Sequence, residues 1–125
     1  MAMIRKLFKQ LSGSRIKQPS ESDLIRMESV VGGRLFGPVP HGHNRQFFCL
    51  DERTWIWYES WTDYSGNHRS MTTRYEVRPD GIIKAQDGKI YTYVNEEEAR
   101  NLVHAVQLYY QEVAREIYHK PVLSY

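Results

Sequence analysis

The 125-residue chain contains a single cysteine, Cys49. An intramolecular disulfide is therefore excluded, and with it a disulfide-stapled scaffold that needs an oxidising compartment. Apolar runs extend for only a few residues, which predicts no transmembrane helix. The first residues lack both the long apolar stretch and the small-residue cleavage site of a secretory signal. Cys-x-x-Cys, His-Glu-x-x-His, a glycine-rich phosphate loop and a serine-hydrolase elbow are all missing. No metal, cofactor or catalytic set is expected on these grounds. Internal repeats and low-complexity tracts are also lacking.

Aromatic residues are plentiful, with 3 Trp, 9 Tyr and 4 Phe in a chain that is 41% hydrophobic. This argues against disorder and for one ordinary core. The charge is unevenly divided. Residues 1–17 hold five of the 17 basic residues and no acid, leaving 12 basic against 15 acidic residues in the remainder. The body is mildly acidic, unlike a uniformly basic nucleic-acid-binding domain. Two parts are expected: a basic amphipathic arm over 1–17 and a single domain over 18–125. In the arm, Ile4, Leu7, Phe8 and Leu11 share one helical face, Lys6 and Lys9 lie largely off it, and Arg5 adds a further cation. Such an arm suits an anionic membrane surface or a partner; it equally suits capping the protein's own core. The expected setting is cytoplasmic, with peripheral membrane association through the arm.

The cluster Ser20-Glu21-Ser22-Asp23 predicts a helix start, followed by Leu24, Ile25, Met27, Val30 and Val31 and a stop at Gly32-Gly33. Residues 37–44 form a loop of prolines and glycines. From Gln46 to Val94 the period changes to two. Gln46–Leu50, Trp55–Trp61, Met71–Arg78, Ile82–Gln86 and Lys89–Val94 read as five strands. Short turns at Pro79-Asp80-Gly81 and Asp87-Gly88 make the arrangement a meander. Asn95 and Glu98 have capping-box spacing. After them, Ala99, Leu102, Val103, Val106, Tyr110, Val113 and Ile117 form a stripe that ends before Pro121. The expected fold is α+β: a five-stranded antiparallel meander, a long C-terminal helix packed across one face, and a shorter N-terminal helix at the sheet edge or over Phe47, Cys49 and Ile56.

Register follows from the turns. A three-residue Pro79–Gly81 loop sets Arg78 opposite Ile82 and Glu76 opposite Lys84. The Asp87-Gly88 turn sets Gln86 opposite Lys89 and Ala85 opposite Ile90. For the longer loop, apolar matching sets Trp61 opposite Met71, Trp57 opposite Tyr75 and Trp55 opposite Val77. One face then collects Phe48, Leu50, the three tryptophans, Tyr75, Val77, Ile83 and Ala85. The other collects Phe47, Cys49, Ile56, Glu76 and a set of tyrosines and cations.

Three constellations are candidate sites. The first is the tyrosine-basic face, Tyr58, Arg74, Arg78, Lys84, Tyr91 and Tyr93. Tyrosine and arginine are enriched in protein interfaces, and a homo-oligomer could use this face. Single-stranded nucleic acid could stack there, but Glu76 and the acidic body count against it. The bland alternative is a solvated sheet face. The second is a pocket between helix and sheet, with Trp55, Trp57, Glu59, Trp61 and Tyr75. A carboxyl among tryptophans would anchor an apolar ligand or transfer a proton; the alternative is Glu59 at a solvated rim. The third is His41-x-His43, whose ordinary reading is exposed loop histidines. The runs Phe47-Phe48-Cys49-Leu50, Trp55-Ile56-Trp57 and Thr73-Arg74-Tyr75-Glu76-Val77 resemble the body of a small bacterial protein, and that resemblance implies no activity. The sequence favours a non-enzymatic binding module over an enzyme.

Overall fold

A computed structural model describes residues 20–119. The arm expected over 1–17, with Ile4, Arg5, Lys6, Leu7, Phe8, Lys9 and Leu11, lies outside them. Helix α1 spans Glu21–Gly33, and strands β1 Asn44–Asp51, β2 Thr54–Thr62, β3 His68–Arg78, β4 Gly81–Gln86 and β5 Thr92–Tyr93 follow. Helix α2 spans Glu96–Glu116. All four strand pairings are antiparallel, in the order β1-β2-β3-β4-β5. The α+β meander with a long C-terminal helix is the architecture expected from the sequence.

Helix α1 begins with a reciprocal capping box. The Ser20 hydroxyl accepts from the Asp23 amide at 3.1 Å, and the Ser20 amide donates to Asp23 Oδ2 at 3.2 Å. The helix buries Leu24, Glu28, Ser29, Val31, Gly32 and Gly33. Met27 and Val30, expected to face inward, are about half exposed. The inner side carries Leu24 and Val31 into the core, while its last turn is glycine because there the helix lies against backbone. A Cβ on Gly32 would stand 1.9 Å from the Phe47 carbonyl oxygen, and one on Gly33 would stand 1.9 Å from that of Arg45. The last turn of α1 therefore covers the outer edge of β1, one of the ways a sheet edge is blunted.

The hairpins depart from the expected registers. Between β2 and β3, Trp55 faces Tyr75, Trp57 faces Thr73, Glu59 faces Met71 and Trp61 faces Arg69. This is two residues from the expected pairing, so the faces are kept. The cause is a tighter loop. Asp63 Oδ1 accepts the amides of Ser65 and Asn67, both at 2.9 Å, and Oδ2 accepts Arg69 Nε at 2.9 Å. These bonds, with the bond from the Asp63 amide to the Asn67 carbonyl, let the ladder run out to Thr62 and His68. They also hold the Asp63 carboxyl below its ordinary range, the Asn67 amide contributing most.

Between β3 and β4 the slip is one residue, and its effect is larger. Arg78 pairs with Gly81, leaving Pro79-Asp80 as a two-residue turn, so Tyr75 faces Lys84 and Glu76 faces Ile83. Every β4 side chain changes face relative to expectation. Gly81 adopts φ 146°, outside the ordinary range of other residues. The β4–β5 pairing is displaced as well, with Ile83 opposite Tyr93 and Lys84 opposite Thr92. The Asp87-Gly88 turn forms with both φ values positive, 51° and 74°, as a type I′ turn requires. Asp87 then binds β3 instead of opening a long β5. Its carboxylate accepts the Thr72 amide, and its own amide donates to the Thr72 carbonyl. In β1, Phe47 faces Trp57 and Cys49 faces Trp55, so these two, not Phe48 and Leu50, share the tryptophan face.

The core lies between that face and α2. Trp55 is 3% exposed and meets the Tyr109 ring edge-on at 5.0 Å; Phe47 stacks on Trp55 at 5.3 Å. The buried stripe of α2 is Leu102, Ala105, Tyr109 and Val113, continued by Ile117. Of the residues expected in the stripe, Val103 is half exposed, while Tyr110 lies at its margin with its ring edge-on to Trp55 at 6.1 Å. The helix is rotated so that Tyr109 enters the core, where its hydroxyl donates to Glu28 Oε1 at 2.6 Å. Tyr118, just beyond α2, donates to Glu28 Oε2 at 2.5 Å.

The start of α2 combines two expectations differently. Asn95 caps the helix by accepting the Glu98 amide at 2.8 Å. The Glu98 carboxylate does not turn back to the cap; it receives Lys84 Nζ at 2.8 Å and the Tyr75 hydroxyl at 3.0 Å. Burial, then the bond to Glu98 and its charge, push the Tyr75 hydroxyl up to about 12. A raised tyrosine contributes stability that is intact below its unfolded value near 10. That stability is lost as the pH climbs through 12, because the unfolded chain releases the proton first. The melting temperature is therefore expected to fall between pH 10 and 12, and to fall less steeply in Tyr75→Phe. An equal slope in both proteins would show that neither burial nor Glu98 raises the Tyr75 hydroxyl.

Candidate functional site

Both helices contribute to one core with Phe47, Cys49 and Trp55, on the tryptophan side of the sheet. Among the described residues no helix covers the other side. Its centre is built from two adjacent rows. Phe48, Ile56, Arg74 and Ala85 form one; Thr54, Glu76, Ile83 and Tyr93 form the next. Alternation places Tyr58 and Arg78 on this face as well. Tyr91 reaches it by its hydroxyl, which donates to Glu76 Oε1 at 3.4 Å.

Of the six residues proposed from the sequence, Tyr58, Arg74, Arg78, Tyr91 and Tyr93 thus share the face. Lys84 does not. The one-residue slip sends it to the tryptophan face, where it pairs with Glu98 and is about two-thirds buried. The charge of the face changes accordingly. Glu76 stands between two guanidinium groups, with Arg78 Nη2 at 3.0 Å and Arg74 Nε at 3.5 Å. The hydrogen bond from Arg78, ahead of the charges of Arg78 and Arg74, holds the Glu76 carboxyl below its ordinary value. Arg74 Nε is buried and makes no hydrogen bond. Tyr93 donates to Asp80 Oδ2 at 2.8 Å, and that bond raises its hydroxyl. Ile83 and Ala85, 7% and 6% exposed, form an apolar floor that the sequence reading had placed on the opposite side.

The second constellation is assembled in part. Trp55, Trp57, Glu59, Trp61 and Tyr75 do share a face, but Tyr109 fills the space over Trp55. Further along β2, Phe36 packs on Trp57 at 5.3 Å and His43 stacks on Trp61 at 6.4 Å. Glu59 is half-buried, and its Oε1 accepts Trp57 Nε1 at 2.7 Å. Arg45, its partner across the β1–β2 pair, lies over the Trp57 ring at 5.9 Å. The carboxyl is therefore anchored to its own strand. A groove of about 340 Å³ lies elsewhere, between the C-terminal turns of the two helices, lined by Val31, Arg34, Leu35, Leu108, Glu112 and Glu116.

Among the described residues no three His, Cys, Asp or Glu side chains converge as a metal site, and no helix is long and apolar enough to cross a membrane. No protein-family model, no curated protein and no solved structure matches the chain.

Proposed function

We propose that the protein is a non-enzymatic binding module that docks a protein partner on the sheet face that no helix among the described residues covers. The observation that carries this reading is the composition of the face. Tyr58, Tyr91 and Tyr93 surround two guanidinium groups that share the Glu76 carboxylate, which offsets one of their two charges, beside the apolar side chains of Ile83 and Ala85. Tyrosine and arginine at a flat, partly apolar patch suit a protein surface. A nucleic-acid strand needs uncompensated cations along its track. With Lys84 withdrawn to Glu98, this face has lost one of its three. The apolar-pocket alternative draws less support, since Tyr109 occupies the space it would use. The basic arm supplies a second contact, with an anionic membrane surface or with the partner, at the cytoplasmic side.

A photo-crosslinking phenylalanine analogue at Tyr58, introduced in the organism that encodes the chain, tests the reading. The same analogue at Gln107, exposed on α2, is the comparison. Adducts specific to position 58, lost in Arg74→Ala/Tyr91→Ala, are the expected result. No adduct at 58, or the same set from 107, overturns the proposal.

A further inference from the structure

We infer that the groove between the C-terminal turns of α1 and α2 receives the chain's own basic arm, docked there as a short helix. The inference concerns the arm alone and does not rest on the sheet-face reading. It gives the membrane or partner contact of the arm a competitor within the same chain.

The groove sets what an occupant must carry. Val31, Leu35 and Leu108 form its apolar part, and Arg34, Glu112 and Glu116 its charged part. Met27 and Val30, about half exposed, extend the apolar surface along α1, one turn before Val31 and Arg34. Two carboxylates against one guanidinium leave the lining negative, and their pairing within it is incomplete. Glu116 meets Arg34 at 3.6 Å, beyond hydrogen-bond distance. Glu112 pairs with Arg115, which lies outside the lining. An occupant therefore needs an apolar stripe with cations beside it.

The arm has both. On a helix, Ile4, Leu7, Phe8 and Leu11 share a face, and Arg5 and Lys9, one turn apart, follow one side of it. Glu112 and Glu116 are also one turn apart, in line with Leu108 along α2. The two cations and the two anions thus have the same spacing, about 6 Å along their helices. The lengths agree as well, about 16 Å for eleven helical residues against about 12 Å from Leu108 to Glu116. Reach is sufficient. Val31 lies about 15 Å along α1 from Glu21, and residues 12–19 span up to about 26 Å when extended. So short a tether holds the arm at a roughly millimolar effective concentration, where contacts of modest strength suffice. The residues after His119 are nearer in sequence, but they hold a single cation, Lys120, against five in the arm.

Hydrogen exchange of the full chain tests the inference, read by mass spectrometry over residues 4–11. An isolated eleven-residue helix is marginal in water, so protection there reports docking. Exchange is expected to be slowed by about 10-fold or more relative to an unstructured peptide. Arg5→Glu/Lys9→Glu and Glu112→Lys/Glu116→Lys each set like charges together and are expected to remove most of that protection. The two pairs combined restore opposite charges and are expected to recover it to within about 3-fold. Should a reversal impair folding, a photo-crosslinking phenylalanine analogue at Phe8 in the otherwise unaltered purified protein serves instead. Its expected adduct lies within the same chain, on residues 27–35 or 108–116. No protection over 4–11, protection indifferent to either reversal, or no recovery in the combination overturns the inference. So does an adduct from position 8 on the sheet, on residues 120–125 or on a second copy. None of these outcomes bears on adducts from position 58, so the two readings stand or fall separately.

Discussion

Gly32→Ala is expected to lower the melting temperature by about 15 °C or more, the consequence of a loss of about 3 kcal/mol. The methyl carbon would stand 1.9 Å from the Phe47 carbonyl oxygen and 2.8 Å from the carbonyl carbon behind it. Neither atom can rotate away. Phe47 is 1% exposed, its ring packs on Trp55 and Tyr109, and its strand is held by the ladder to β2. Relief requires α1 to lift from the edge of β1, which uncovers Leu24 and Val31 and separates Glu28 from its tyrosines. Gly33→Ala meets the Arg45 carbonyl at the same 1.9 Å, so a similar loss is expected. Gly42→Ala is the control. Nothing lies within 4 Å of that position, and only the positive φ of 80° opposes a side chain, at about 1 kcal/mol. Thermal and urea denaturation of the three variants checks the ordering. If Gly32→Ala melted within about 3 °C of the parent, helix and strand would not approach as described.

That glycine pair shows how far the sequence could be read. Gly32-Gly33 reads locally as a helix stop, and the helix does end there. Their larger role is to let backbone meet backbone, a non-local fact with no local signature. The same division runs through the sheet. The number, order and direction of the strands follow from period and turn residues. The registers do not, because each is settled by an interaction the turn motif does not announce. Asp63 closes its loop with three acceptor contacts, which lengthens β2 and β3 by two pairs. Asp87 binds Thr72 in β3, so β5 shortens to two residues. Lys84 looks misplaced on an aromatic face until Glu98, 14 residues later, arrives from α2 to pair with it.

The candidate face was legible to the same depth. Five of its six proposed residues share a side because β2 and β3 kept their parity; Lys84 was lost because β4 did not. Ile83 and Ala85 crossed over for the same reason. From the sequence, Glu76 read as the cross-strand partner of Lys84 and as a charge counting against nucleic acid. In the structure it pairs with both Arg74 and Arg78, offsetting one of their two charges, and so sets the chemistry of the face. Glu28 was missed altogether, although one signal was present. Leu24, Glu28 and Val31 stand at i, i+4 and i+7, the spacing of a buried helical stripe, with a carboxyl in the middle.

Glu28 is also where a second large loss is expected. Its carboxyl is 0% exposed in α1, and each oxygen accepts a tyrosine hydroxyl, from Tyr109 in α2 and from Tyr118 beyond it. The cluster joins the first helix to the last across 81 and 90 residues of sequence. Glu28→Ala removes the acceptor for two hydroxyls that are themselves buried, and leaves a cavity beside Tyr109. Unsatisfied buried hydroxyls cost about 1–3 kcal/mol each, so a total near 3 kcal/mol is expected even if one of them finds water. Tyr118→Phe withdraws one donor and keeps the ring, at about 1–2 kcal/mol. Glu28→Gln preserves volume and one acceptor oxygen and should fall between the parent and the alanine variant. The decisive comparison is the pair Glu28→Ala/Tyr109→Phe. Once the carboxyl is gone, the bond between the two side chains is already lost, and deleting the Tyr109 hydroxyl should cost less than it does in the parent. The double variant is therefore expected to lose less than the sum of the two single losses, a coupling of about 1–3 kcal/mol by urea denaturation. Strict additivity would mean that the two side chains contribute independently and that the bond between them does not join the helices.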